Sequence, residues 1–556
     1  DICNELNKYF CSVGETLSQS LKPCGEFDFR KYNPEPCKHS MFCSPVTPDE
    51  VLKIIQKLPS NKAPGPDGIK SNIVKEICSN ISDPLAHVYN LSFTTGLVPD
   101  LLKVSKVIPV YKKGERNKPG NYRPISLLSI FDKIMEKLMY KRLLCFLDKN
   151  KVLYEYQFGF RKNYSTVQAV MEVIDNIYQH CDNNEITMGI FIDLQKAFDT
   201  VNHQILLHKL ENYGIRGITL KWFCNYLSNR KQFTVLSDNN SALELVKIGL
   251  PQGSVLGPLL FLIYINDIQY AVPDAKIKLF ADDTNLFIHS CDITRLFLLA
   301  NTCMLQLLEW FTVNKLSLNV DKTCYSIFGT TNSNITSHQL FFNNKLIQNV
   351  RCCKYLGILI DRELKWQDHM DYVYRKLIKF VSIFYKVRLK VPQNILRIIY
   401  FAFVYPHLLY GIEIYANTTL NRLSKLMTLN NKLLRVIQNK PLRTHVSELY
   451  KSYSTLPINL LHLFQILVFM HTYVHHKHKL PSVFATYLEE NKLIHHHNTR
   501  QKDDFHSHSV HSELGKRNIK YKGSRLWNGL PTDLKHIESL QRFKTKLREY
   551  LLLSLQ

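Results

Sequence analysis

An adjacent pair of aspartates, Asp282 and Asp283, lies between two short apolar runs, Ile277–Phe280 and Leu286–Ile288. Apolar runs of this length around a polar pair predict a strand, a tight turn and a second strand. The turn of such a hairpin holds its side chains forward of the sheet. The pattern therefore requires a β-sheet in the fold and places two carboxylates at its rim.

A third aspartate, Asp193, follows the run Ile186–Ile192, which is apolar except for Thr187. A continuous apolar run predicts a strand that is buried on both faces. If this strand neighbours the hairpin, Asp193 comes to lie beside the aspartate pair. Asp503 and Asp504 form a similar pair in a polar stretch without strands, and there we expect only a solvated turn.

Three close carboxylates repel one another unless cations lie between them. Divalent ions with oxygen ligands relieve this repulsion, and Mg²⁺ suits phosphate substrates. Two such ions about 3.5–4 Å apart activate an attacking hydroxyl and stabilise a leaving phosphate. For any single aspartate a turn or a helix cap is the more common role, so the apolar framing does not by itself name a reaction.

The chain is strongly basic, with 71 Lys and Arg residues against 47 Asp and Glu residues and a net charge of +24. This excess favours a polyanionic partner, because phosphate binding releases counterions from nucleic acid. The alternative is a soluble protein that is merely basic. A length of 556 residues predicts several packed units. The 14 cysteines include no CxxC pair, as expected of free thiols in a reducing compartment.

Other patterns predict helices and strands around the acidic residues. A helix is expected to begin at Pro48 and a strand to span residues 106–111. A helix over residues 203–213 is expected to be capped by Asn202. Residues 255–268 predict a strongly apolar helix.

The most apolar long window spans residues 395–415 and contains Arg397, Pro406, His407 and Glu413. These interruptions predict a buried helix hairpin rather than a membrane span. We therefore expect no membrane association.

Seven short motifs occur in the order that is typical of one protein family. They are NYRPISL (121–127), QFGFR (157–161), FIDLQKAFD (191–199), GLPQGSVLGP (249–258), FADD (280–283), LSLNVDKT (316–323) and KYLG (354–357). Any one of them is weak evidence, but seven in order are specific, and residues 50–365 resemble the reverse transcriptases. With GPDG at 65–68 and a basic helical tail, the chain is similar to the Jockey, CR1 and L2 type of non-LTR retrotransposons.

The resemblance implies an α+β right-hand polymerase fold with a helical C-terminal region. Fingers would span residues 47–185, a palm with a small antiparallel sheet 186–365, and a helical thumb 366–480. Residues 1–46 would form a lead-in or linker. Residues 481–556 would form a polar linker and an amphipathic helix.

The resemblance also implies an RNA-directed DNA polymerase, which extends a primer 3′-hydroxyl with dNTPs on an RNA template by two-metal-ion nucleotidyl transfer. Asp193, Asp282 and Asp283 would bind two Mg²⁺ ions, or Mn²⁺ in their place. The main-chain carbonyl of Leu194 would be a further ligand. The expected partners are an RNA template, a DNA primer or target, and dNTPs.

The nucleotide pocket of the family corresponds to further residues of this chain. Phe198 would lie under the incoming sugar and exclude a 2′-hydroxyl by steric overlap, with simple packing under the palm as the alternative. Gln252 and Gly253 would form the pocket floor, where the glycine allows close backbone approach. Asp199 is expected to be structural.

Cations are expected around the triphosphate. Arg123 and one of Lys112 or Lys113 would grip its phosphates, although a solvated basic loop gives the same pattern. Lys322 would protonate the leaving pyrophosphate or serve as a structural lysine. A basic face of the thumb would follow the template–primer backbone without sequence preference. Its residues are Arg375, Lys376, Lys379, Lys386, Arg388 and Lys390.

Two features near the C-terminus are less informative. The histidines at positions 495–497, 506, 508 and 511 lack nearby cysteines and regular spacing, which favours a polar linker over a zinc site. The segment LWNGLP (526–531) resembles the end of the same retrotransposon polyproteins, and no mechanism is attached to it.

Two other functions fit part of the pattern: an RNA-templated RNA polymerase and a catalytically silent nucleic-acid-binding remnant. Phe198 and the motif wording argue against the first, and the intact carboxylates and Gln252 argue against the second. An endonuclease normally precedes the polymerase in this family and is missing here, so we expect a fragment or a truncated copy. Family resemblance places its action in the nucleus, with a cytoplasmic ribonucleoprotein stage as an option. Oligomeric state and the RNA copied do not follow from the sequence.

Overall fold

The computed structural model describes residues 2–21, 28–329, 338–494, 502 and 504–555. The first part of the chain contains α1 (Ile2–Gln19), α2 (Pro48–Gln56), α3 (Ser71–Glu76), α4 (Cys78–Thr95), β1 (Val104–Tyr111), β2 (Tyr122–Leu127), α5 (Ile130–Lys149) and α6 (Thr166–Asp182). The fold is therefore mixed from its beginning, with helices before and after a pair of strands.

The middle of the chain supplies most of the strands. It contains β3 (Ile186–Ile192), α7 (His203–Asn212), α8 (Gly217–Leu227), β4 (Arg230–Leu236), β5 (Asn239–Asn240), β6 (Glu244–Val246), α9 (Leu256–Ile265), β7 (Lys276–Phe280), β8 (Asp283–Ser290), α10 (Ile293–Val313), β9 (Cys324–Phe328), β10 (Phe341–Phe342), β11 (Lys345–Leu346), β12 (Gln348–Asn349), β13 (Cys352–Tyr355) and β14 (Ile358–Asp361).

The last part is helical. It contains α11 (Gln367–Val387), α12 (Gln393–Phe403), α13 (Tyr405–Leu409), α14 (Ile412–Tyr415), α15 (Leu420–Ile437), α16 (Val446–Tyr453), α17 (Ile458–His475), α18 (Asn491–Ile494), α19 (Ile519–Asn528), α20 (Thr532–Lys535) and α21 (Leu540–Leu553).

The main sheet has the strand order β12-β9-β3-β8-β7. Strand β3 pairs with β8 and β9 on its two sides, both antiparallel, and is almost entirely buried, as its apolar run predicts. The predicted hairpin is confirmed as β7 and β8, whose pairing ends at Phe280 opposite Asp283. The sheet thus holds the acidic turn next to the end of β3.

A second sheet has the order β2-β1-β4-β5, with β6 also paired to β4. Strand β1, which contains the predicted strand 106–111, pairs antiparallel with β2 and parallel with β4. Helix α2 begins at Pro48 and Asn202 caps α7, as predicted. The structure also shows that the Thr47 side chain caps α2 by accepting a hydrogen bond from the N–H of Glu50. These side chains satisfy N–H groups that have no partner within the helix.

The N-terminal segment differs from the predicted lead-in. Helix α1 is one continuous helix that packs on β4 and β6. Its Asn7 is fully buried and donates hydrogen bonds to the carbonyl oxygens of Gln232 and Ala242 at 3.3 and 3.0 Å. The apolar face of α1 packs Leu6 and Phe10 against Val107. The segment is therefore part of the folded body.

The window 395–415 forms three short helices, α12 to α14, in which Tyr400, Ile412 and Tyr415 are fully buried. Helix α10 is long and apolar enough to cross a membrane by composition, and 50% of the relevant window is buried inside the protein. Burial of this kind is also found in core helices of soluble domains.

The described residues of the C-terminal segment are packed against the rest of the chain, whereas a polar linker was predicted for part of it. Helices α19 and α21 pack against α17, and the predicted amphipathic helix α21 buries Phe543 and Leu547 in the same hydrophobic cluster as Tyr178 of α6. In the histidine-rich stretch, the His506 N–H donates to the Glu489 carbonyl at 2.8 Å. Positions 495–497 lie outside the described residues.

Two carboxylates of α6 hold this C-terminal segment. Asp175, which is 4% exposed, accepts hydrogen bonds from the Tyr487 hydroxyl and from the Ile519 N–H. Asp182 accepts from the N–H groups of His511 and Ser512 and from the Ser512 hydroxyl, at 2.6–3.0 Å for its Oδ1 atom. The first contact caps α19, and the second closes the loop before it.

Burial raises the pKa of Asp175 from 3.8 to about 7, although the Tyr487 and Ile519 hydrogen bonds partly offset it. The folded state therefore binds the proton of the Asp175 carboxyl group more tightly than the unfolded state does. The stability that this proton contributes is lost as pH rises toward 7. We expect Asp175→Asn to unfold at a higher temperature than the wild type at pH 8. Because one pKa unit corresponds to about 1.4 kcal/mol, this difference should shrink markedly at pH 5 in thermal unfolding experiments.

Asp182→Asn is the matched control with the opposite sign. Burial opposes ionisation of Asp182, but the hydrogen bonds from Ser512 and His511 outweigh it and lower the pKa. Its contribution is present near neutral pH and is lost in acid. Asp182→Asn should therefore destabilise the protein at pH 7, and its effect on the free energy of unfolding should be smaller below pH 4. Identical pH profiles for the two variants would contradict this account.

Candidate active site

The register of the main sheet brings the three predicted aspartates to one corner. Ile192 of β3 pairs with Thr284 of β8, so the next positions, Asp193 and Asp283, face each other across the two strand ends. Asp282 precedes Asp283 in the turn that follows β7. Residues 193 and 282 are thus brought together although 89 positions separate them in the chain.

The loop that precedes β9 supports Asp193 from the other side. The Asn319 N–H donates to the Asp193 carbonyl at 2.8 Å, and the Asn319 side-chain amide donates to Asp193 Oδ2 at 2.9 Å. The Gln195 amide donates to the Leu318 carbonyl at 2.9 Å. Leu194, between them, is 8% exposed and forms a bridge with Leu318. The backbone around Asp193 is therefore fixed on both sides.

The carboxylates influence one another electrostatically. Burial, together with the negative charges of Asp282 and Asp193, raises the pKa of Asp283 to about 6. The pKa of Asp282 is also raised, first by burial and then by Asp193, while Lys112 and Arg123 act in the opposite direction. This mutual repulsion is what an intervening cation would relieve.

The donor set fits a divalent cation chemically, because all three side chains offer hard oxygen ligands. In the described part of the chain, however, no three His, Cys, Asp or Glu side chains converge as a ready-made metal cluster. Asp193 Oδ2 is turned toward the Lys322 ammonium at 3.1 Å. In this arrangement the positive charge of Lys322 offsets the negative charge of Asp193. The other two carboxylates lie at the adjacent turn.

Three predicted cations lie around the same corner. Partial burial lowers the pKa of Lys112, and the nearby charges of Arg123 and Lys322 lower it further, while Asp193 opposes the shift. The positive charge of Lys113 also lowers the pKa of Lys112. Lys112 therefore lies within the electrostatic reach of Asp193, Arg123 and Lys322.

Phe198 is half-buried beside the acidic corner. Its ring stacks on that of Phe261 with centroids 4.8 Å apart and meets the ring of Phe160 edge-on at 6.2 Å. Its carbonyl accepts a hydrogen bond from the Leu250 N–H at 2.8 Å, which ties this segment to the GLPQG loop. The ring is therefore held in one orientation and keeps part of its surface exposed.

Gln252 is also oriented by its neighbours. Its side-chain amide donates to Asp199 Oδ1 at 2.7 Å, and its carbonyl accepts from the Ser126 N–H at 2.9 Å. Asp199 thus has a defined contact, which orients the side chain of Gln252. Gly253 has φ +137°, and a Cβ there would lie 2.5 Å from the Ser126 carbonyl oxygen. The close approach that this glycine permits in the structure is to the backbone of β2, whereas a close approach to substrate was predicted.

Two residues in the quoted motifs were given no role by sequence reasoning. Asn319 holds Asp193, and Gln157 contacts the turn that carries Asp282. Both are uncharged amide side chains next to apolar residues within the motifs, and that is the only signal that the sequence offered. Their partners lie more than 120 positions away, so the sequence alone could not name them.

The comparison with protein families agrees with this geometry. Residues 110–360 match the family model described as reverse transcriptase (RNA-dependent DNA polymerase). This match covers the acidic corner, Phe198 and Gln252, and it identifies residues 110–360 as a reverse transcriptase domain. The predicted resemblance to that family is confirmed.

Within this class the chain is similar to polymerases of jockey-like mobile elements. It is 30% identical over 427 residues to the RNA-directed DNA polymerase from mobile element jockey of Drosophila melanogaster, which covers 74% of this chain and 46% of that protein. It is 28% identical to the probable RNA-directed DNA polymerase from transposon BS and 27% identical to that from transposon X-element, both of the same organism. These matches cover 73% and 71% of this chain and 46% and 44% of those proteins. The chain thus spans less than half the length of these relatives.

The acidic corner predicts divalent metal binding that depends on Asp282 and Asp283. We expect Asp282→Asn/Asp283→Asn to weaken Mn²⁺ binding by about tenfold or more, because two of the three hard ligands lose their charge. Electron paramagnetic resonance of free Mn²⁺ measures this directly. Asp503→Asn/Asp504→Asn, which changes the other Asp-Asp pair of the sequence, should bind as the wild type does. Equal loss in both variants would contradict the site.

Proposed function

We propose that the chain catalyses RNA-directed DNA synthesis, adding dNTPs to a primer 3′-hydroxyl on an RNA template. The observation that carries the proposal is the meeting of Asp193 with Asp282 and Asp283 at one sheet corner, beside Phe198 and the GLPQG loop. The overall reaction joins the 3′-oxygen to the α-phosphorus of the dNTP and releases pyrophosphate.

Asp193, Asp282 and Asp283 would hold two Mg²⁺ ions, with the Leu194 carbonyl as an additional ligand. Bound there, the ions supply activation of the 3′-hydroxyl and stabilisation of the leaving phosphate. Asn319 keeps Asp193 in place by two hydrogen bonds, one to its carbonyl and one to its carboxylate. Mn²⁺ has the same ligand preference and would occupy the same site.

The cations of the corner would bind the triphosphate. Arg123 offers a planar pair of donors to phosphate oxygens, and Lys112 offers a point charge. Lys322 pairs with Asp193 in the structure, and this places its ammonium beside the carboxylates. From that position it can donate a proton to the leaving pyrophosphate, a contribution typically worth about 10²–10⁴-fold.

The elements around this corner are consistent with the right-hand arrangement of fingers, palm and thumb. The main sheet would be the palm, residues 47–185 the fingers and the helices after residue 366 the thumb. Helix α11 buries Met370, Val373 and Leu377 against the rest of the chain. The opposite side of α11 would follow the template–primer backbone. Outside its buried face α11 carries Arg375, Lys376, Lys379 and Lys386, and Arg388 and Lys390 follow the end of the helix; none of these six residues is buried.

By analogy with jockey-like elements, the partners would be an RNA template and a DNA primer or target in the nucleus. The net charge of +24 suits such polyanions. The similarity of the chain to the RNA-directed DNA polymerases of the relatives supports DNA rather than RNA as the product.

Primer extension on an RNA template in Mg²⁺ tests the function. We expect extension with dNTPs by the wild type and by Asp503→Asn/Asp504→Asn, and none by Asp282→Asn/Asp283→Asn. Salt-sensitive binding of the template–primer should be retained by all three proteins. Binding without extension by the wild type would instead support a catalytically silent nucleic-acid-binding remnant.

Phe198 predicts the choice between dNTPs and rNTPs. We expect Phe198→Ala to lower the preference for dNTPs by about 10- to 100-fold, because the space under the sugar then admits a 2′-hydroxyl. Single-nucleotide incorporation rates with each substrate measure this ratio. Phe198→Tyr should keep the preference.

Phe160→Ala is the control for packing around this ring. Phe160 touches Phe198 edge-on and is 51% exposed. Its removal should leave the dNTP preference within about twofold of the wild type. A preference that survives Phe198→Ala would show that the ring only packs under the sheet.

A further inference from the structure

The segment at residues 156–159 extends the main sheet beyond its last strand. The Leu279 N–H donates to the Tyr156 carbonyl at 3.0 Å, and the Phe158 N–H donates to the Leu279 carbonyl at 2.8 Å. Gln157 and Leu279 therefore form a parallel bridge along the outer edge of β7. This contact covers the edge of the strand that leads into the acidic turn.

The side chain of Gln157 continues this contact to the turn itself. Gln157 is 2% exposed, and its Oε1 accepts hydrogen bonds from the N–H of Gly159 at 2.8 Å and from the N–H of Ala281 at 3.0 Å. Ala281 immediately precedes Asp282. One buried amide oxygen thus fixes the backbone at the residue next to a carboxylate of the site.

The turn needs an external support of this kind. Ala281 has φ +57°, in the left-handed region that residues with a Cβ rarely adopt. Gly159 lies so close that a Cβ at its position would be 2.2 Å from the Ala281 nitrogen. The absence of a side chain at 159 therefore lets the two backbone segments meet.

We propose that Gln157 and Gly159 are positioning residues that set the conformation of the turn carrying Asp282 and Asp283. The proposal rests on the function given above and adds to it the device that aims the carboxylates. An amide oxygen suits this task, because it accepts two N–H groups without adding a negative charge beside three carboxylates. A displacement of the reacting groups by about 1 Å can lower a rate by about 10²-fold.

Gln157→Met and Gln157→Glu separate the hydrogen bond from the packing. Methionine keeps the length of the side chain and removes the acceptor, whereas glutamate keeps an acceptor oxygen. Hydrogen exchange at the Ala281 amide should rise about tenfold or more in Gln157→Met. It should stay near the wild-type rate in Gln157→Glu. Gly159→Ala should also raise it, because the two segments must separate.

Steady-state primer extension gives the second readout. We expect Gln157→Met to lower kcat by about 10- to 100-fold, with the KM for dNTP and the affinity for template–primer within about twofold of the wild type. Tyr154→Phe is the matched control, because the Tyr154 hydroxyl donates to the Ile277 carbonyl at 3.0 Å, near the far end of β7. That variant should leave kcat and Ala281 exchange unchanged.

The possible outcomes separate the two proposals. Wild-type exchange at Ala281 in Gln157→Met, or faster exchange across the whole main sheet, would overturn the positioning role. A wild type that extends no primer would overturn the proposed function, and exchange at Ala281 would still decide the role of Gln157. Local loss of protection together with a lower kcat would support both.

Discussion

The antiparallel pairing of β3 with β8 is the interaction on which the site depends. Because Ile192 pairs with Thr284, the two strands end with Asp193 and Asp283 facing each other. A shift of one residue in this register would move the side chains of β3 from one of the two hydrophobic cores beside it into the other, where they would not fit the neighbours they meet. The energetic penalty for that shift is what holds the carboxylates together against their own repulsion. The strand register that buries the sheet is therefore also the register that places the charges.

The supports of the corner come from segments on every side of it. Asn319 and Lys322 reach Asp193 from the loop before β9, and Asp199 orients Gln252 from the turn after β3. Gln157 holds the acidic turn from the outer edge of β7. Each contact is a hydrogen bond or an ion pair at the rim of an apolar sheet. The result is a set of carboxylates whose geometry is fixed before any ligand arrives.

Local patterns predicted much of this fold. The apolar run before Asp193, the framing of Asp282, the helix start at Pro48 and the cap at Asn202 are all readable within ten residues, and each was found where expected. What could not be predicted depends on distant partners. Asn7 of α1 bonds to Gln232, 225 positions away, and the packing of the C-terminal segment depends on contacts 330 positions apart. Periodicity indicates an amphipathic face but not the surface that covers it.

The docking of the C-terminal segment onto α6 has a consequence for where this protein can be divided. The family match ends at residue 360, yet Tyr178 of α6 shares one hydrophobic cluster with Trp527 and Phe543. A gene fragment cut at the family boundary would therefore leave an apolar face of α6 bare and two buried carboxylate contacts unmade. The segment that matches the family, residues 110–360, is therefore shorter than the segment that packs together as one folded body. A fragment expressed as an active domain would therefore have to include the C-terminal segment that docks on α6.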